Sequence, residues 1–315
     1  MSNKIRAVVV DPNVPGRLAL GEVNAPTPAA NEALIKVTAI SLNRGEVRRA
    51  STAQAGWRPG WDLAGIVETP AADGSGPPQG ARVVGLLPSG AWAEILSVPT
   101  HALAEIPPSV SFAQAATLPV AGLTAYHALK KGGLLLNRSV LITGASGGVG
   151  NFAIQLARLS GAKVVAHLRQ SKYETMVKEA GAHEVVIGED ISPAKEYGQY
   201  HLVVDSVGGN VLGTALGLLG QNGLAVVFGT TAGRDVTFDA ANFYALGGAS
   251  LYGLILFHEL KWEPASVGLK LLGELVESGQ LRPLIDIEAP WTEIANISQQ
   301  LTDRRFPGKA VLHIS

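Results

Sequence analysis

The chain contains no cysteine. A disulfide is therefore excluded, and so is any zinc site built on thiolates. Charge is sparse and balanced: 25 basic residues against 26 acidic ones leave a formal net charge of −1. So even a balance sets up no field that would draw the chain to nucleic acid or an anionic membrane, and neither is expected as a partner. No apolar run reaches the roughly 18 residues of a membrane span. The opening stretch MSNKIRAVVVDPNVPG lacks the apolar core and small-residue cleavage site of a secretory leader. A cytoplasmic protein is expected. The seven histidines show no close ligand spacing, and FHEL at His258 lacks the second histidine of a zincin helix, so no metal is expected.

What is present points to two domains. A length of 315 residues at 47% hydrophobic content supplies a core for each. The first third carries short β-type runs: IRAVVV, LALGEV, EALIKVTAIS, DLAGIVET, ARVVGLL and AWAEILSV, separated by Gly, Pro, Asn and Asp. That spacing predicts an antiparallel barrel or sandwich. A change comes at Ser111, an N-cap candidate for the Ala-rich SFAQAATLPVAGLTAYHALKK. Beyond it strands and helices alternate, and the strands SVLIT, KVVAHL, EVVI, YHLVVD and GLAVVFG are apolar throughout. Buried strands in alternation with helices predict a doubly wound parallel sheet. The last run, GKAVLHIS, reads as a strand returning to the first domain.

The stretch SVLITGASGGVG, residues 139–150, is a strand, a glycine-rich turn and a helix start in the order a dinucleotide pyrophosphate requires. Ser146, Gly147, Gly148 and Val149 are the cradle candidates, and Gly150 is the small residue needed for close helix packing. Two families write such a turn. Thr143-Gly144-x-x-x-Gly148-x-Gly150 fits short-chain dehydrogenases; Ala145-x-Gly147-Gly148-x-Gly150 fits zinc-free medium-chain reductases. The short-chain form also needs a Tyr-x-x-x-Lys pair far downstream. The chain has Tyr126 and Lys130, but they precede the turn, as does the whole β-rich first third.

Several further segments carry a resemblance. PGWDLAGIVE (59–68), SLNRGEVRRA (41–50), AATLPVAGLTAYHAL (115–129), DSVGG (205–209) and GKAVL (308–312) occur in order over nearly the whole chain. Together they resemble the medium-chain dehydrogenase/reductase superfamily, in its zinc-free quinone oxidoreductase-like branch. The resemblance implies an α/β protein with a GroES-like β-barrel catalytic domain, residues 1–115 and 264–315. It implies a Rossmann doubly wound parallel-sheet domain for NADP, residues 116–263. Zinc-dependent members carry a cysteine at or near the position of Asn43 and a histidine at Trp61; both are replaced here. Without a Lewis acid, alcohol oxidation is disfavoured and reduction of an activated acceptor remains.

Where NAD enzymes place an acidic residue, after the second Rossmann strand, this chain has Arg169, Ser171 and Lys172. Cations there suit a 2′-phosphate, so NADP(H) is the expected cofactor. The resemblance sets Thr124, Val207, Phe228, Gly229 and Thr230 beside it. The expected activity is NADPH-dependent hydride transfer to a quinone or an α,β-unsaturated carbonyl. The alternatives are an enoyl-thioester reductase and an NADPH-binding structural or regulatory protein with little turnover. Asn43 is the first catalytic candidate, since its amide can donate to an oxygen. Arg44, with Arg48, would meet an anionic acceptor or else be a solvated partner of Glu46. Tyr252 would line the acceptor site or belong to the core. The apolar segment 249–256 is, by resemblance, the edge strand through which a homodimer forms.

Overall fold

The computed structural model describes residues 4–314. The first three residues, with which the stretch read for a leader begins, and Ser315, with which the catalytic-domain range ends, lie outside the described residues. The chain divides into two compact units, one taking the residues up to Leu123 and again from Leu260, the other Thr124–Glu259. No helix among the described residues is long and apolar enough to cross a membrane.

The six β-type runs of the first third all become strands: β1 (Lys4–Val10), β2 (Leu18–Asn24), β3 (Glu32–Ser41), β4 (Asp62–Thr69), β5 (Arg82–Leu86) and β6 (Ile95–Pro99). A short β7 (Leu103–Glu105) follows. Strand β3 is the centre. It pairs antiparallel with β4 and β6, and β5 and β7 continue the sheet beyond β4. The alternation of apolar and polar residues along β1 and β3 buries one face, as the sequence pattern requires. Its register sets Ser41 opposite Asp62.

Ser111 caps a helix, α2 (Phe112–Ala116), through a reciprocal box with Gln114. The helical segment does not run on unbroken. Pro119 has no N–H and disrupts the ladder, so a π-turn spans Leu118–Gly122 before α3 (Leu123–Lys131). The α2 helix packs on β3, β4 and β5. That packing keeps α2 in the first unit; the units divide at 123 and 259, whereas the resemblance places the boundaries at 115 and 263.

The second unit holds β8 (Ser139–Ile142), β9 (Lys163–Leu168), β10 (Glu184–Ile187), β11 (Tyr200–Asp205), β12 (Leu219–Val227) and β13 (Ser250–Gly253). All pair in parallel in the order β10-β9-β8-β11-β12-β13, with the order reversing direction at β8. This is the doubly wound Rossmann arrangement, and ligands of such sheets sit at the carboxyl ends where the order reverses. The long helix α4 (Gly148–Leu159) follows β8 and buries Phe152, Ile154 and Leu156. β13 is an edge strand, and there Leu251 is 47% and nearby Ile255 68% exposed.

The chain then returns to the first unit. The helix Ala265–Glu277 buries Leu269, Leu272 and Val276. β14 (Ile285–Pro290) pairs with β15 (Lys309–His313), and β15 pairs antiparallel with β3, setting Val311 opposite Ser41. The final run therefore closes the GroES-like sheet.

Candidate functional site

The turn after β8 is shaped by two glycines. Gly144 has φ +60°, a conformation that a side chain would strain. At Gly150 a Cβ would sit 2.5 Å from the Gly144 carbonyl oxygen and 2.7 Å from the Ala145 Cα, so only glycine lets α4 approach the strand. The N-cap, Gly147, offers no side-chain cap. The first-turn N–H groups of α4 thus lack both intrahelical and side-chain acceptors, and the helix dipole adds positive potential at the same point. Ser146, Gly147, Gly148 and Val149 are all partly exposed around it. This geometry fits a dinucleotide pyrophosphate.

A buried carboxylate fixes the neighbouring strand ends. Thr143 Oγ1 donates to Asp205 Oδ1 at 2.6 Å, while Asp205 Oδ2 accepts from the N–H groups of Gly208 (2.8 Å) and Val207 (3.2 Å). Burial pushes the Asp205 carboxyl up, against the pull of these donors. The pins join the ends of β8 and β11 and so place Val207. Phe228 N–H bonds to the Asp205 carbonyl at 3.0 Å, and a Cβ on Gly229 would meet the Ser206 carbonyl oxygen at 2.6 Å. Val207, Phe228, Gly229 and Thr230 form partly exposed turns beyond β11 and β12, and Thr124 is buried in α3. At the end of β9, Leu168 is buried, while Arg169, Ser171 and Lys172 are exposed. Lys172 Nζ lies 4.8 Å from the Tyr173 ring. Neither of the two cations is tied to a carboxylate among the described residues.

In the first unit, the register of β3, β4 and β15 assembles a buried polar cluster around Asp62. Four donors converge on its carboxylate. Ser41 Oγ (2.9 Å), Asn43 Nδ2 (2.7 Å) and Lys309 Nζ (3.2 Å) meet Oδ2, and the Val120 N–H (2.9 Å) meets Oδ1. That N–H comes from the π-turn at Pro119. Lys309 also donates to Asn43 Oδ1 (2.6 Å) and the Leu42 carbonyl (2.9 Å), which uses all three ammonium protons. Asn43 caps α1 (Arg44–Ala50) in a box with Glu46. Glu46 Oε1 accepts from the Asn43 N–H at 2.7 Å and from Asn43 Nδ2 at 3.0 Å.

Two consequences follow for the sequence candidates. The Asn43 amide is locked: its oxygen faces an ammonium, and both N–H bonds go to carboxyl oxygens, so no amide proton is left over for an acceptor oxygen. Glu46 is fully buried, not a solvated partner of Arg44 or Arg48. Its Oε2 is buried without a partner. Burial pushes the Glu46 carboxyl well up, and the Asp62 charge adds to it, outweighing Lys309 and the Asn43 donors. Burial thus favours the protonated form of Glu46, while the Lys309 ammonium meets Asp62.

Arg44 and Arg48 are exposed on α1. Tyr252, on β13, donates its hydroxyl to Glu259 Oε1. Glu259 pairs with Lys131 at 2.8 Å, and Lys131 Nζ lies 4.4 Å from the Tyr252 ring. Burial raises the Glu259 carboxyl, but Lys131 and Tyr252 together bring it below its ordinary range. Tyr126 and Lys130 share α3, with Nζ 5.6 Å from the ring centre.

Residues 29–108 match the alcohol dehydrogenase GroES-like domain family, and residues 148–269 the zinc-binding dehydrogenase family. The quinone oxidoreductase of Lama guanicoe is 30% identical over 305 residues, covering 92% of this chain and 91% of its own. The 2-methylene-furan-3-one reductase of Solanum lycopersicum is 29% identical over 312 residues, 92% of this chain and 74% of its own. A mycobacterial protein solved in complex with NADPH superposes with a TM-score of 0.87 at 26% identity, covering 98% of this chain and 99% of its own. The chain belongs to the medium-chain dehydrogenase/reductase superfamily, in its quinone oxidoreductase-like branch. It is an oxidoreductase with a nicotinamide cofactor. The second family is described by zinc, and the residues here do not fit that ion. Asn43 and Trp61 replace thiolate and imidazole, Trp61 donates its Nε1–H to the Pro88 carbonyl, and an ammonium already occupies Asp62.

Asp62, Glu46, Lys309 and Asp205 stood inside the segments that carry the resemblance, but nothing in one sequence assigned them these roles. They become visible only as partners across strands.

The raised Glu46 carboxyl sets the sign of a pH effect. The folded state holds this proton above the pH at which the unfolded chain releases it. The contribution is therefore complete below the unfolded value and is lost as pH climbs from there toward the folded value, at up to about 1.4 kcal/mol per pH unit. Glu46→Gln removes the ionisation. Its melting temperature is expected to gain on the parent progressively from pH 5 to pH 9, and a difference that stays constant across that range would refute a neutral Glu46.

Proposed function

We propose that the protein is a zinc-independent NADPH-dependent reductase that transfers hydride from the dihydronicotinamide C4 to a quinone or to the β-carbon of an α,β-unsaturated carbonyl. The observation that carries the reading is the donor set around Asp62. An amide locked by an ammonium stands where a metal would otherwise be bound, so the protein has no Lewis acid there with which to activate an alcohol. The acceptor must arrive already electron-poor. The hydride brings two electrons and one proton equivalent to it, and a proton from solvent completes the reduced product. The protein supplies position and an electrostatic setting. The names of the relatives support the acceptor class: one is a quinone oxidoreductase, and another reduces a compound whose methylene is conjugated to a carbonyl.

In this reading the α4 amino end, with Ser146, Gly147, Gly148 and Val149, binds the pyrophosphate. Arg169, Ser171 and Lys172 take the 2′-phosphate, and Thr124, Val207, Phe228, Gly229 and Thr230 flank the remainder. Asn43 belongs to the acceptor side. Its locked amide works there as a fixed dipole rather than as a spare donor; Arg44 and Tyr252 are the lesser candidates. The protein is read as cytoplasmic.

The direct test is NADPH consumption followed at 340 nm over quinones, 2-alkenals and enoyl-CoAs. Turnover with the first two is expected. Turnover with enoyl-CoAs alone would replace the acceptor class, and tight NADPH binding with no oxidation by any of them would make this a binding protein.

Cofactor choice is a separate matter. Replacing Arg169 and Lys172 together by Ala is expected to weaken NADPH at least about tenfold more than NADH, since each charged contact contributes about 1.5 to 3 kcal/mol. Equal losses for both would put the phosphate elsewhere.

The third reading concerns assembly. β13 ends the parallel sheet with exposed Leu251 and, just beyond it, exposed Ile255, and an uncovered apolar edge invites a second copy. A homodimer is expected by light scattering at micromolar protein; a monomer there would reject it.

A further inference from the structure

A cleft of about 430 Å3 in the first unit shares no lining residue with the Asp62 cluster. Its volume lies within the range of small-ligand sites, about 300–1,000 Å3. Much of its wall is apolar: Pro26, Trp57, Leu87, Ile95 and Leu96. Arg58 is the charged group in the lining.

Arg58 is held in place yet unmatched. Ser89 Oγ donates to its backbone carbonyl at 2.6 Å, and its guanidinium Nη2 donates to the Gly90 carbonyl at 3.2 Å. Gly90, at φ +82°, lies along the stem: a Cβ there would be 3.8 Å from the Arg58 Cβ, Cζ and Nε. The Nε–H is buried and has no acceptor. No carboxylate pairs with Arg58 among the described residues. Ser97, on the same wall, gives its hydroxyl to Glu32 at 2.6 Å, and Glu32 takes the Ala29 N–H as well, so that carboxylate is engaged elsewhere. The Arg49 guanidinium lies 5.1 Å from the Trp57 ring centre. Arginine is seldom buried without a counter-charge, because desolvating it is costly. Burial accordingly lowers the Arg58 pKa, with no opposing contribution from a neighbouring acid.

A fixed, half-buried guanidinium and an indole line one cleft with aliphatic walls, and what the set lacks is an anion with a flat apolar body. We propose that this cleft is a second ligand site, separate from the nicotinamide chemistry, which binds a monocarboxylate carrying an aromatic or similarly planar apolar group. The carboxylate meets Arg58, where planar donors match planar acceptors, and the body lies against Trp57 and the aliphatic wall.

The test uses the full chain, with and without saturating NADPH, and isothermal titration calorimetry with 2-naphthoate and its uncharged isostere 2-naphthamide. Naphthoate is expected to bind about tenfold more tightly than the amide, the value of one charge-assisted bond. NADPH should leave that preference unchanged. Arg58→Gln should abolish the preference while leaving amide binding in place, Arg58→Lys should retain part of it, and Trp57→Leu should weaken both probes together. Equal affinity of the two probes, a preference that survives Arg58→Gln, or displacement of naphthoate by NADPH would each overturn the proposal. Inorganic phosphate binding as well as naphthoate would overturn the planar carboxylate in particular. The acid–amide comparison on the parent protein decides the matter even if the Arg58 variants fail to fold.

Discussion

One buried ammonium organises the first unit. Lys309 is 247 residues from Asp62 and 267 from Leu42, and it bonds to both. The chain between them builds a complete second unit before it returns. The loop-closure entropy of such a return is large but grows only slowly with length. What makes the return specific is that a misplaced β15 would leave Lys309 and Asp62 as unpaired buried charges. Breaking a buried pair costs about 3 to 5 kcal/mol, which is a large share of a domain's stability. The pair adds less than that to stability when compared with an apolar replacement.

The same cluster shows how local irregularity serves a distant group. Pro119 breaks a helix, the π-turn frees the Val120 N–H, and that N–H satisfies Asp62. Ser41, Asn43 and Lys309 take the remaining acceptor capacity of the carboxylate, and burial favours the protonated form of Glu46. A cluster with one positive and one negative charge suits a buried site better than one with an extra anion. Asn43 is therefore rigid in a defined orientation. A group held in this way keeps its orientation without a further entropic cost when a ligand arrives.

The second unit solves its problem through backbone. Gly144 and Gly150 bring the helix against the strand, and the Thr143–Asp205 pins hold the neighbouring strand ends at a fixed height. Both devices use short, neutral or internally satisfied groups, which leaves the α4 amino end without a competing carboxylate. The cationic side chains after β9 stand outside this frame on an exposed turn, so they can vary without disturbing it.

Much of the fold was legible in order along the chain. Short β-type runs set apart by Gly, Pro, Asn and Asp marked β1 to β6, unbroken apolar runs marked β8 to β12, and Ser111 marked a helix start, because each is a local pattern read within a few residues. The glycine turn was legible for the same reason. Three things were not. The interruption at Pro119 looked like one continuous Ala-rich segment, because a π-turn differs from a helix only in where its N–H groups go. Asn43 looked like a free donor, because its two acceptors lie three residues away on α1 and across the sheet on β4. Glu46 looked like a solvated partner of Arg44 and Arg48. A sequence fixes which groups exist and the period with which they repeat. Which acid keeps its proton, and which arginine lacks a counter-charge, depends on desolvation and on partners brought from distant positions, and these exist only once the strands have paired.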